Sequence, residues 1–162
     1  MTFYSQLGKA FMEGKPIDII NGDMGIIDDI GLMQVMRWVQ EQRQFNSELF
    51  VVSIIGGLST GKSTLLNYLV GTNFSVSAGC HTKGINATLF STDVPGTREM
   101  LILDTERLFG IDTKFDRRLS AFCITNSNLV LFNIKGVLDS NVTDLLESVV
   151  YTLGREPTRN MC

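Results

Sequence analysis

Residues 49–67, LFVVSIIGGLSTGKSTLLN, decide how this chain is read. The run LFVVSII, 49–55, is continuously apolar and rich in Val and Ile, which predicts a strand buried on both faces, as in a parallel sheet. Directly behind it, Gly56, Gly61, Lys62 and Ser63 fit the pattern G-x-x-x-x-G-K-[ST]. KSTLLNYLV then reads as a helix that stops at Gly71. Each piece of this strand, loop and helix has a physical reason. Glycine lets the backbone approach an anion closely and adopt positive φ. The loop N–H groups and the helix N-terminus face the anion, which makes Gly56, Ser59, Thr60, Gly61, Lys62, Ser63 and Thr64 the candidate phosphate-binding positions. Lys62 places a point charge on β- and γ-phosphates, and the Ser63 hydroxyl can ligate Mg²⁺.

The bulk properties bound what surrounds this loop. The chain has 162 residues, the length of one ordinary domain, and 44% of them are hydrophobic, enough to bury a core. The formal net charge is −3 and no long basic run occurs, which argues against electrostatic binding to nucleic acid or anionic membrane. Cys80, Cys123 and Cys162 match no zinc or CxxC spacing and form no even set for disulfides. Free thiols in a reducing cytosol are the simpler reading. The N-terminal MTFYSQLGKAFMEGK lacks a signal-type apolar core, and no run approaches the ~20 apolar residues of a membrane span. The expectation is a soluble, cytoplasmic protein with no transmembrane segment.

Outward from the loop, the chain alternates. Residues 1–16 suggest a short helix and a loop, and PIDII, 16–20, a short strand. In IGLMQVMRWVQEQR, Leu32, Val35, Met36 and Val39 fall at i, i+3, i+4 and i+7, an amphipathic helix. Beyond the loop, residues 72–84 read as a polar, irregular segment. INATLFS and EMLILDT read as strands joined by TDVPGTR, a link short enough to predict an antiparallel pair. FDRRLSAF sets Phe115, Leu119 and Phe122 on one helical face, and LVLFNI, 129–134, is another apolar strand. Val142, Leu145, Leu146, Val149, Val150 and Leu153 then follow helical spacing, with Asn141 placed to cap and Gly154 and Pro157 to stop. This order predicts an α/β fold with helices on both faces of the sheet.

Two further stretches carry candidate chemistry. Asp104 closes the apolar strand in LILDTE, 101–106, where a phosphate-loop protein places the acid on the Mg²⁺ side. The alternative is a strand-end Asp that begins a turn. In GCHTKGI, 79–85, the Thr82 hydroxyl could reach Mg²⁺ and γ-phosphate and order its loop in the triphosphate state. His81 and Lys83 read as solvated loop residues.

Together, GGLSTGKSTLLN, HTKGI and LILDTE resemble the large dynamin-related GTPases, in the order and approximate spacing found there. The chain is similar to the guanylate-binding protein, atlastin and very large interferon-inducible GTPase group. FSVSAGCHTKG and LSAFCITNSNLVLFNIKG most resemble the very large GTPases. The resemblance spans roughly residues 45–153. It implies a P-loop NTPase three-layer sandwich, mostly parallel with one antiparallel hairpin. Residues 1–44 would be an N-terminal strand–helix extension, and 45–162 the G domain. It also implies GTP and Mg²⁺ as cofactors, and homo- or hetero-dimerisation through the nucleotide face. Lys62 and Thr82 would be catalytic, and Ser63, Thr82 and Asp104 would hold the metal.

Three departures qualify that expectation. The family's DTEG is DTER here, so Arg107 stands where a glycine N–H meets the γ-phosphate, and its Cβ restricts the backbone. Arg107 reads either as an outward surface residue or as an arginine finger. Guanylate-binding proteins carry an Arg in the loop where Ser59 stands. Finally, LGREPTRNMC follows the last helix, and no NKxD-like or RD-like motif follows LVLFNIKG. NIKG lies on the wrong strand to read a base and lacks the Asp. The sheet is therefore expected to be incomplete on its C-terminal side, with LVLFNI as an apolar edge and marginal stability. The expected function is GTP binding with weak or no hydrolysis. The alternatives are a non-catalytic module pairing with a full-length relative, and a P-loop ATPase or kinase.

Overall fold

The computed structural model describes residues 2–21, 29–42, 49–57, 59–72, 74, 84–92, 99–106, 113–136, 140, 143–144, 146–147 and 151. Helix α1 (Phe3–Met12) and strand β1 (Ile17–Asn21) lead to helix α2 (Asp29–Gln42). Strand β2 (Leu49–Gly56) and helix α3 (Lys62–Val70) follow, then strands β3 (Gly84–Ser91) and β4 (Glu99–Glu106). Helix α4 (Thr113–Thr125) and strand β5 (Leu129–Asn133) complete the order. Of the last helix expected from sequence, residues 140, 143–144, 146–147 and 151 have helical backbone. Val142, Leu145, Val149, Val150 and Leu153 lie outside the described side chains.

The strands form one sheet in the order β1-β3-β4-β2-β5. β2 runs parallel to both β4 and β5. β3 and β4 are antiparallel, from Gly84 opposite Glu106 to Ser91 opposite Glu99, which is the hairpin the short TDVPGTR link predicts. A second antiparallel pairing was not anticipated: β1 adds to β3, with Ile17 opposite Ala87 and Ile20 opposite Ile85. An irregularity between Asp18 and Ile20 shifts that register. It brings Ile17 and Ile20, three positions apart, into one core cluster, where strict alternation would separate them.

The two faces carry different cores. Ile55, Ile85, Ala87, Leu89 and Leu103 face Phe11 of α1, Val35 and Val39 of α2, and Leu119 and Cys123 of α4. On the other face, Val52, Ile54 and Ile102 pack with Leu66 of α3 and Phe74. Helices on both faces of the sheet give the three layers expected. Thr2 caps α1 by accepting from the Ser5 N–H, while the Ser5 hydroxyl donates to the Thr2 carbonyl at 2.7 Å. α1 and α2 touch closely, because a Cβ added at Gly8 would run into the Trp38 ring. The buried side of α2 differs from the stripe that the spacing implies. Val35 and Val39 are buried, Trp38 is half-buried and Met36 is 39% exposed.

The polar segment after α3 is anchored at its start. Gly71 ends the helix with φ +71°, a left-handed conformation suited to glycine. Asn67 then donates from Nδ2 to the Phe74 carbonyl at 2.9 Å. Its Oδ1 accepts from the Phe74 N–H at 2.9 Å and the Thr72 hydroxyl at 2.5 Å. These bonds seat Phe74 in the core although its neighbours in sequence are polar. Asn67→Ala is expected to cost about 2 kcal/mol, a melting drop of about 4–8 °C by circular dichroism. An unchanged melting temperature would remove Asn67 from the structural account.

Candidate functional site

The loop between β2 and α3 lies at the C-terminal ends of the parallel strands. This is where an open α/β sheet places its ligands. Its backbone curls through two left-handed residues, Ser59 at φ +54° and Gly61 at φ +84°, with Thr60 between them. Such alternation turns successive N–H groups toward one concavity. Inside the loop, the Gly57 carbonyl accepts from the Thr60 hydroxyl at 3.0 Å and from Lys62 Nζ at 2.8 Å. Lys62 is 6% exposed, so its ammonium is held under the loop rather than in bulk solvent.

Helix α3 begins without the usual side-chain cap. Gly61 occupies the N-cap position and makes no side-chain hydrogen bond, although Leu65 N–H already donates to the Gly61 carbonyl at 2.8 Å. A helix N-terminus normally has its first N–H groups met by Ser, Thr, Asp or Asn. Here no side chain at the cap competes with an anion for them. Ser63 and Thr64 stand in the first turn, Thr64 exposed and Ser63 half-buried.

β4 supplies the acid. Asp104 pairs in register with Ile54, two residues before Gly56, and it is 3% exposed. Ser63 Oγ donates to Asp104 Oδ2 at 2.6 Å. The other oxygen, Oδ1, is buried without a hydrogen-bond partner. Beside it, the Thr105 hydroxyl donates to the Ile54 carbonyl at 2.6 Å and locks β4 to β2 at this level. A buried carboxylate with one unmet oxygen, next to a serine hydroxyl, is the hard-oxygen set that a small divalent cation takes. The residues present therefore fit Mg²⁺.

Burial pushes the Asp104 carboxyl above its ordinary value of 3.8, outweighing the Ser63 bond and the nearby Lys62 charge that pull it down. Below pH 3.8, folded and unfolded chains both hold the proton, and the residue carries no penalty. As pH rises from there to the raised folded value, the unfolded chain releases its proton first and stability falls. Above that window the loss is constant. Asp104→Asn is therefore expected to raise the melting temperature of the nucleotide-free protein at neutral pH. The gain should shrink toward pH 4. A lower melting temperature at neutral pH would contradict this.

Gly56, Ser59, Thr60, Gly61, Lys62, Ser63 and Thr64 thus share one loop and helix start, with Asp104 against Ser63. Thr82, His81, Lys83 and Arg107 lie outside the described residues, as does the side chain of Glu106. One residue of the site was not singled out from sequence. Asn133, the first letter of the NIKG set aside as a base reader, donates from Nδ2 to the Thr60 carbonyl at 3.0 Å. The available signal was its place at the end of an apolar strand that follows a phosphate loop.

Comparison with known proteins identifies the family of this chain. A family model described as the URGCP-like GTPase domain matches residues 3–156. Interferon-induced very large GTPase 1 of Homo sapiens is 36% identical over 149 residues, covering 86% of this chain and 6% of that protein. Its Mus musculus counterpart is 33% identical over 150 residues, covering 83% of this chain and 6% of that protein. The chain thus spans about 6% of the length of these relatives. Among solved structures, the G domain of the T. maritima FeoB iron transporter aligns with a TM-score of 0.43 at 19% identity, over 64% of this chain and 66% of that one.

Proposed function

The chain belongs to the URGCP-like GTPase domain family, and from that premise we propose that it binds GTP with Mg²⁺ through the loop at residues 56–64. The observation that carries this reading is the bond from half-buried Ser63 to buried Asp104 beside Lys62, with one carboxylate oxygen left unmet. In the proposed complex, Lys62 leaves the Gly57 carbonyl for the β- and γ-phosphates. The loop N–H groups and the open start of α3 take the remaining phosphate oxygens. Ser63 and Asp104 would hold the cation. The chemistry that Mg²⁺ would supply when bound there is positive charge that offsets the phosphate oxygens.

Hydrolysis is proposed to be weak or absent. Its mechanism would be in-line attack of water on the γ-phosphate, with charge stabilised by Lys62 and the loop N–H groups. Thr82 is assigned the switch role by resemblance. Arg107 replaces the glycine that would meet the γ-phosphate. The proposal extends to pairing with a second G domain across the nucleotide face and to a cytoplasmic setting. Among the described residues, no helix is long and apolar enough to cross a membrane.

Calorimetric titration with GTP, beside ATP and each with and without Mg²⁺, tests the reading. GTP binding that needs both Mg²⁺ and Lys62 is the expected result. Preference for ATP, or binding indifferent to Lys62, would sink it. A second reading, an interaction module, is favoured by the sheet's far edge. β5 lies at the end of the strand order, with Leu129 exposed and Val130, Leu131 and Phe132 half-buried. Light scattering separates the two readings. Pairing with a full-length relative that persists without nucleotide supports the module, whereas pairing that requires nucleotide supports the GTP site.

A further inference from the structure

Asn133 ties the edge strand to the loop in two ways. Its position is the last pair in the β2–β5 register, directly opposite Gly56. Its own carbonyl oxygen occupies the space a Cβ at Gly56 would need, so the two backbones meet closely there. Its side chain continues past Gly56 and donates from Nδ2 to the Thr60 carbonyl at 3.0 Å. Thr60 is the residue between the two left-handed positions of the loop.

We infer that Asn133 is a positioning residue for the phosphate loop, acting through the Thr60–Gly61 peptide. The chain contains no cis peptide among its described residues, so this peptide is trans. In a trans peptide the C=O and the N–H point in opposite directions. Drawing the Thr60 carbonyl outward to Asn133 therefore turns the Gly61 N–H away from β5. Gly61, with φ +84° and no Cβ, offers little resistance of its own to rotation of that peptide. A fixed donor on a strand supplies the restraint the glycine lacks. Orientation of this kind lowers the cost of ordering the loop when an anion binds. Asn133 touches no phosphate itself.

The inference rests on the phosphate-loop reading, and its test separates the two. Asn133→Asp keeps the shape and removes the N–H donor, and Asn133→Ala removes the side chain. Leu131→Ala, on the same strand but without a bond to the loop, serves as a control for general weakening of β5. The readouts are the affinity for a fluorescent GDP with Mg²⁺, taken well below each variant's melting temperature, and the melting temperature itself. Both Asn133 variants are expected to bind about five- to tenfold more weakly, the effect of one lost hydrogen bond. Leu131→Ala should melt earlier yet bind within twofold of the parent.

If Asn133→Asp and Asn133→Ala bind as the parent does while Lys62→Ala does not, the inference falls and the phosphate loop stands. An equal loss of affinity in Leu131→Ala likewise reduces Asn133 to general support of the strand. If the parent itself binds no nucleotide, the loop reading falls and the inference falls with it.

Discussion

Replacing Lys62 by alanine is expected to weaken binding of a fluorescent GTP with Mg²⁺ by about a hundredfold or more, while the protein stays folded. In the nucleotide-free protein the Lys62 ammonium is buried, with Nζ bonded to the Gly57 carbonyl at 2.8 Å. In the proposed complex the same charge would meet phosphate oxygens in a partly desolvated pocket. Charge-assisted bonds of this kind contribute about 1.5–3 kcal/mol each, and two of them exceed a hundredfold in affinity. A neutral methyl group offers nothing in their place. The folded state loses less, because the Gly57 carbonyl keeps its bond from the Thr60 hydroxyl at 3.0 Å. Equilibrium titration at fixed salt measures the effect, with circular dichroism as the fold control. An affinity within threefold of the parent would mean that the phosphates are held elsewhere.

Gly56→Ala is expected to be the most damaging single methyl added to this site. The new Cβ would run into the Asn133 carbonyl oxygen and would also lie 3.3 Å from Thr60 Oγ1. The first obstacle is backbone in a paired strand, so no rotamer change relieves it. Either β5 moves away from β2 or the loop lifts from its strand. Overpacking of this sort costs about 3 kcal/mol at its upper range, a melting drop of about 6–12 °C for a chain of this size. Nucleotide affinity should fall too, since Gly56 opens the loop. Differential scanning calorimetry of the nucleotide-free protein measures the first effect. A melting temperature within 2 °C of the parent's would show that the strand ends separate freely. Gly61→Ala makes a useful contrast, because among the described residues beyond its chain neighbours no atom lies within 4 Å of its missing Cβ, and the positive φ is the penalty there.

Legibility from sequence followed the range of the interactions. The loop, its strand and its helix were readable because glycine spacing, an apolar run and a helical period are local signals. The β3–β4 hairpin was readable from the shortness of its link. What escaped depended on contacts between distant residues. The pairing of β1 with β3 joins Ile17 to Ala87, and nothing near Ile17 states which strand it will meet. The exposed side of α2 was misjudged at Met36, because a period of 3.6 defines a stripe but not its tilt against a neighbour such as Gly8. Phe74 was hidden among polar residues whose only sign of order was Asn67, one helical segment earlier. NIKG does not fit a base-reading motif, and nothing local in it announces that Asn133 bonds to Thr60, 73 residues away. Lys62, Ser63 and Asp104 stand out in the sequence because phosphate and cation chemistry restrict the residue types, and the structure brings the three side chains together. The unmet Oδ1 of Asp104 was not, since it is a property of packing.

The unequal layers of this fold bear on how the protein is kept or lost once made. Three helices cover one face of the sheet. α3 is the described helix on the other, and it leaves Tyr68 88% and Leu69 60% exposed. The helix whose first turn is proposed to face the nucleotide thus keeps apolar surface exposed among the described residues. Local opening of a helix with this much exposed surface would expose its backbone amides. A ligand bound at its first turn opposes that opening by mass action, by about 4 kcal/mol when nucleotide exceeds its dissociation constant a thousandfold. Amide exchange along α3 should therefore slow steeply with nucleotide, while α1 and α2 change little. Resistance to proteolysis would then report occupancy, and empty chains would be cleared before loaded ones.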